Sequence, residues 1–119
     1  MEPSVAHTFS KKERLSGKTD IARLLTRGRW GFCPGMKYCV LCPNGEDFTR
    51  ILISVPKKHF KRAVKRNLLK RRIREAYRTQ KGLLQADSGA DILFQYDSRE
   101  VMTSAAVRET VARILGSIR

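Results

Sequence analysis

The chain has 119 residues, 41% of them hydrophobic, which suits one domain with a modest core and excludes wholesale disorder. Twenty-five Lys and Arg stand against eleven Asp and Glu, a formal charge of +14. That excess goes far beyond what solubility asks and makes a compact domain repel itself, so a polyanionic partner is expected.

Residues 1–10 read as a flexible arm and residues 11–119 as a single domain. The arm leads into a basic stretch, Lys11-Lys12-Glu13-Arg14. Thr19 or Asp20 can cap a short helix whose apolar positions are Ile21, Leu24 and Leu25, with Gly28 placed to end it. Pro34-Gly35 marks a turn, Met36 to Cys42 reads as a strand, and Pro43-Asn44-Gly45 marks a second turn. From Thr49 to Val55 the residues alternate, with Ile51, Ile53 and Val55 on one face. This segment is expected to pair back on the preceding strand as a hairpin, and Pro56 closes it. A long helix is expected from about Phe60 to Lys81, with Leu69, Ile73 and Ala76 as its inner stripe and Tyr77 beside them. After a connection ending at Gly89, Asp91 to Tyr96 reads as a strand. The chain ends in an amphipathic helix capped by Thr103 or Ser104, with Val107, Val111, Ile114 and Ile118 facing inward. The whole reads as α+β, a small sheet packed by helices.

The long helix is the most informative segment. At roughly 100° per residue, Arg66, Lys70 and Arg74 form one ladder, and Asn67, Arg71 and Arg78 form a second beside it. The two make a cationic band next to the apolar stripe, with the small residue Ala63 on the same band. Cations fixed in a row on a rigid rod suit successive phosphates, and Arg adds forked, bidentate hydrogen bonds. The ordinary reading of a charge run is a solvated face laced by ion pairs. Here Glu75 is the only acid between Phe60 and Lys81, so each like-charged i,i+4 pair costs about a few tenths of a kcal/mol. A nucleic-acid partner answers that cost. Zinc-finger spacing, heptads after the basic region and a helix-turn-helix are all missing; one basic helix on a small sheet suits folded RNA.

Other chemistries fit less well. A membrane-surface protein would carry Trp or Phe on a basic amphipathic helix, whereas the single Trp30 lies outside every basic helix, and no stretch approaches the length of a membrane span. Met1 to Ser10 lacks the apolar run of a signal peptide, and three cysteines do not suggest a disulfide framework, so a cytoplasmic address is expected. Cys33, Cys39 and Cys42 with His59 or His7 could be drawn as a zinc site. A second ligand pair is missing, however, and on a continuous strand Cys39 and Cys42 point to opposite faces. Buried free thiols and no bound metal are expected. Neither a Gly-rich nucleophile elbow nor paired carboxylates are recognisable, which argues against a standalone protein enzyme.

Ser54-Val-Pro-Lys-Lys58, followed by Ala63-Val-x-Arg-Asn-x-x-Lys-Arg-x-x-Arg-Glu-Ala-Tyr77, resembles the signature of the bacterial ribonuclease P protein family. Arg14-Leu15, Asp20 and Gly28 match the family's N-terminal pattern, and the resemblance covers about residues 10–118. It implies an α-β-β-β-α-β-α sandwich in which the signature helix joins two parallel strands by a left-handed crossover, against the usual hand. It also implies a subunit that assists a catalytic RNA in removing the 5′ leader from precursor tRNA. The catalytic groups and Mg²⁺ ions would belong to the RNA. The protein would bind the RNA subunit, hold the leader in a cleft between sheet and helix, and raise metal affinity, with no membrane and no protein partner required.

On that resemblance, Arg66, Lys70 and Arg74 match the cations on the helix side of the cleft, and Asn67 and Arg71 match the rest of the motif. Lys57 and Lys58 match a Lys pair at the strand end, and Arg62 and Arg78 complete the RNA-binding set. Ile21 and Leu25 from the first helix, with Tyr38 and Val40 from the sheet, are expected on the cleft floor. The family often carries aromatic residues where Ile21 and Leu25 stand and commonly Arg where Leu68 stands, and the link His59 to Arg62 is one residue longer than usual. The alternative is a passive RNA-binding or ribosomal-type protein with no part in cleavage.

Overall fold

The structure, a computed structural model, describes residues 13–84 and 88–118; the expected arm and His7 lie outside the described residues. Helix α1 (Lys18–Arg27) starts from Gly17 and ends at Gly28. Thr19 and Asp20 therefore lie inside its first turn and do not cap it. Strands β1 (Arg29–Cys33) and β2 (Met36–Leu41) form a tight hairpin over Pro34-Gly35, where Gly35 has φ of 86°, a conformation glycine adopts without strain. The positions of β1 that face α3 are Arg29, Gly31 and Cys33, so its only alternating apolar residues, Trp30 and Phe32, lie on the other face. Strand β3 (Arg50–Ser54), helix α2 (Ala63–Arg78), strand β4 (Asp91–Tyr96) and helix α3 (Ser104–Ser117) complete the order. At α3 the Thr103 hydroxyl accepts the Ala106 N–H at 3.1 Å, as its N-cap role requires.

The strand order is β1-β2-β4-β3, so the expected hairpin between β2 and β3 does not form. Strand β4 lies between them, antiparallel to β2 and parallel to β3. Its run Asp91-Ile-Leu-Phe is wholly buried, the pattern of a strand covered on both faces. The Asn44-Gly45 pair, read as a hairpin turn, serves a different purpose. Asn44 is itself buried, and its amide donates to Phe48 O at 3.1 Å and to Asp91 Oδ1 at 2.8 Å, pinning the loop to the start of β4. Helix α2 also begins three residues later than expected. Phe60 is drawn into the core edge-on to Tyr96, with ring centroids 5.7 Å apart, and the chain reaches the helix through an extended Arg62.

The sheet buries both faces. On one, α2 and α3 cover Met36, Val40, Ile51, Ile92, Phe94 and Tyr96. On the other, α1 and the segment before it cover Cys39 and Leu93 with Leu24 and Leu15. Leu24 is completely buried, whereas Leu25 is 42% exposed. Cys39 and Cys42 pack against opposite faces, and the Cys39 thiol lies 3.3 Å from Leu24 O. Burial pushes the Cys39 thiol above its usual pKa.

A buried ion pair ties these layers together. Asp91 has no exposure, and Arg50 grips it in a fork, Nε to Oδ1 and Nη2 to Oδ2 both at 2.9 Å. The Arg50 Nη1 group reaches Asp20 on α1 at 3.2 Å, and Asp20 also accepts from Arg23 at 2.9 Å. The Asp91 hydrogen bond holds the Arg50 pKa even higher than usual.

Three expectations follow from this packing. Arg50→Ala would strand a buried carboxylate and should lower stability by about 3–5 kcal/mol, read as a shifted midpoint in urea unfolding. Glu109→Ala, which breaks the exposed Arg113–Glu109 pair, should leave the midpoint unmoved. In the folded protein, Cys33 and Cys42, both half-buried, should react with a thiol reagent before Cys39; denaturant should equalise the three rates.

Candidate nucleic-acid interface

Parallel strands cannot be joined by a tight turn, so the chain from β3 to β4 must cross over, and α2 is that crossover. Its inner stripe, Leu69, Ile73, Ala76 and Tyr77, is buried as the spacing requires. The cationic band consequently faces away from the core. Asn67 and Arg71 are exposed; Arg66, Lys70 and Arg74 are half-buried along the flank. Lys57, Lys58 and Arg62 are exposed on the turn that leads into the helix.

Tertiary contacts assign the arginines different tasks. Arg66 Nη1 donates to Phe60 O and Lys61 O, both at 2.8 Å, which fixes its guanidinium beside the helix start. A guanidinium has five N–H donors, so donors remain for a ligand. Arg78 is clamped by Glu75, with Nε to Oε2 at 2.6 Å and Nη2 to Oε1 at 3.2 Å. The Arg78 hydrogen bond holds the Glu75 carboxyl below the usual carboxylate range. Of the nine RNA-binding residues expected from the sequence, Arg78 is thus the one in an ion pair with the helix's sole acid. Arg72, outside the expected set, staples α2 to the approach of α3 by donating to Met102 O at 2.5 Å.

Two concavities flank α2. One, of about 300 Å³, lies along the β3 edge and is lined by Arg14, Leu15, Ser16, Leu52, Lys70 and Arg74. The other, of about 330 Å³, lies between α2 and α3 and includes Leu68, Arg71, Arg72 and Arg108. The four apolar residues expected on one cleft floor are not brought together. Ile21 packs with the α1-side cluster, and Leu25 is exposed on α1, whereas Tyr38 and Val40 face the α2–α3 core. Alternation decides this: Cys39 faces α1, so its neighbours in β2 face the other way. The sheet residues on the α1 side include Lys37 and Cys39 from β2, Leu93 and Gln95 from β4, and Leu52 and Ser54 from β3. Sequence reasoning missed these six; knowing which helix covers which face would have identified them.

Residues 9–119 match the family model described as Ribonuclease P. The chain belongs to the ribonuclease P protein family. The ribonuclease P protein component of Porphyromonas gingivalis is 32% identical over 121 residues, spanning 92% of this chain and 88% of that protein. Among solved structures, the ribonuclease P protein of Thermotoga maritima superposes with a TM-score of 0.77 at 28% identity, covering 90% of this chain and 98% of the other. The Staphylococcus aureus ribonuclease P protein gives a TM-score of 0.74 at 25% identity, with coverage of 87% and 92%. These structures share the α-β-β-β-α-β-α order found here. As a ribonuclease P protein, the chain is the protein component of a tRNA-processing ribonucleoprotein nuclease, a hydrolase whose partner is an RNA subunit. Among the described residues no helix is long and apolar enough to cross a membrane.

If α2 docks on phosphate, Arg66→Ala and Arg74→Ala should each reduce the slope of log K against log salt by about one. Arg78→Ala should change it less, because Glu75 already holds that guanidinium. RNA binding measured across a salt series decides between them.

Proposed function

We propose that this ribonuclease P protein binds both the catalytic RNA subunit and the 5′ leader of precursor tRNA, and so promotes leader removal by the RNA. The observation that carries the reading is the uncompensated cationic surface running from Lys57 and Lys58 through Arg62, Asn67 and Arg71, with Arg66, Lys70 and Arg74 along its flank. Arg66, Lys70, Arg71 and Arg74 sit on a helix whose apolar stripe is buried in the core, so they are positioned before RNA arrives and little order must be imposed on binding. The groove between α2 and the β3 edge, with Lys70 and Arg74 on its wall, suits a single strand with its phosphates toward the helix.

Mg²⁺ enters this reading as an ion held mainly by RNA. Among the described residues no three His, Cys, Asp or Glu side chains gather into a metal-holding group. The protein's part would be indirect: its cations reduce repulsion between leader and catalytic RNA, so phosphates there can approach and share a divalent ion. A cytoplasmic location belongs to the same proposal.

The test is cleavage of a leader-bearing precursor tRNA by a bacterial catalytic RNA at low Mg²⁺. Adding the protein should restore cleavage, the protein alone should cleave nothing, and the benefit should shrink on a substrate with no leader. Tight RNA binding with no gain in cleavage would favour the passive RNA-binding alternative.

A further inference from the structure

We infer that the outer face of β1 is a stacking platform for unpaired RNA, with Trp30 and Phe32 as its base-contacting residues. This rests on the RNA-binding reading above and extends it to a surface with no cationic motif. Trp30 is 52% exposed and Phe32 63% exposed, the two most exposed aromatic side chains among the described residues. They occupy alternate positions on an edge strand and so share one face, about 6.6 Å apart along it. Neighbouring bases of an extended single strand can match that separation. Between them, Gly31 lies against the Tyr38 ring, and a Cβ there would come within 2.2 Å of it. The strand is thereby seated flat on Tyr38 from behind, which stiffens the platform.

Its surroundings suit an anionic strand. No acid occurs between Asp20 and Glu46, and within that span Arg27 at the end of α1 and Lys37 on β2 are exposed. Lys37 is exposed and directly opposite Phe32 across the β1–β2 ladder. The same row continues over the sheet to Gln95 and Ser54, and from Ser54 the chain leads to Lys57 and Lys58. Aromatic faces supply sequence-tolerant stacking while nearby cations hold the backbone. Bases on β1 and phosphates passing toward α2 would thus follow one path across the α1 side of the sheet. Two rival occupants fit less well. A second copy would bring another +14 charge to the same edge, and a membrane surface would need an amphipathic helix carrying the aromatics, not a flat strand.

Trp30 is the only tryptophan, so its fluorescence reports the platform directly. Titrating the full chain with a single-stranded RNA hexanucleotide should quench it, and an RNA duplex should quench it less. Trp30→Ala and Phe32→Ala should each weaken hexanucleotide binding by roughly 5- to 150-fold, the range for one lost stacked base. Trp30→Phe should retain most of the affinity. Because stacking carries no charge, the salt slope should stay at the wild-type value in all three variants, and the unfolding midpoint should not move. Unchanged fluorescence at saturating RNA, with full affinity in both Ala variants, would overturn the platform while leaving the salt slopes of the α2 variants to judge the underlying reading. Persistent quenching in an Arg66→Ala, Arg74→Ala double variant of unaltered salt slope would support the platform and count against α2. A Trp30 response to phosphatidylglycerol vesicles alone, or self-association abolished by Trp30→Ala, would overturn it in favour of a membrane or a second copy.

Discussion

Asp91 stands at the first position of the central strand with no exposure to solvent, and a carboxylate there must be answered by hydrogen bonds. Its partners come from distant parts of the chain: Arg50 on β3 and Asn44 in the loop after β2, with Arg50 reaching on to Asp20 of α1. Arg50 and Asp91 are also register partners in the parallel β3–β4 ladder. The ion pair therefore marks where parallel pairing begins, and a one-residue slip would leave both charges without their partner. Parallel pairing in turn demands a crossover. The position of the cationic helix is inherited from a buried pair on the far side of β3 and β4. Such pairs stabilise less than their geometry suggests, because desolvation opposes the Coulombic gain; what this one contributes most directly is a unique arrangement of strand, loop and helix.

Local signals in the sequence were enough for the buried faces of α2 and α3, though not for where α1 and α2 begin. The stripe Leu69, Ile73, Ala76 and Tyr77, the Thr103 cap and the inner face of α3 all lie where periodicity places them. Pairing was legible only in part. Pro34-Gly35 makes its hairpin, but Asn44-Gly45, an equally strong turn signal, serves a loop whose asparagine is needed by Asp91. Nothing local distinguishes the two, because the difference is a contact made 47 residues away. The same limit governed the face of β2. A strand covered on both sides alternates between two apolar environments, so Tyr38 and Val40 look as suitable as Lys37 and Cys39 until the helices are placed. Trp30 and Phe32 were visible as residues, but only the sheet shows that they stand side by side and uncovered.

The net charge is not spread evenly in function. Several arginines are committed to the fold: Arg50 to Asp91, Arg72 to Met102 O, Arg108 to Thr79 and Arg78 to Glu75. Carboxylate, carbonyl and hydroxyl oxygens answer these, and all but the Arg78–Glu75 pair join different parts of the fold. Of the cations that remain outward, Lys57, Lys58, Lys61, Arg62, Lys65 and Arg71 cluster on α2 and its approach. Composition alone reports an excess of base; packing divides that excess into staples and a docking face.

That division also explains how α2 stands as a helix without its ligand. It has no side-chain cap, no acid in its first turn and a series of like charges along one side, all unfavourable for an isolated helix. The repulsion amounts to about a few tenths of a kcal/mol for each i,i+4 pair. Burial of Leu69 and Ile73, each without exposure, contributes about 1.5–3 kcal/mol per side chain, and Tyr77 adds its ring against Phe94. Packing therefore outweighs repulsion by a wide margin, and the cationic face persists while unoccupied. A face held in place before binding loses little conformational freedom when RNA arrives. The charge pattern that weakens the helix locally is tolerable because the apolar stripe a quarter-turn away over-determines it.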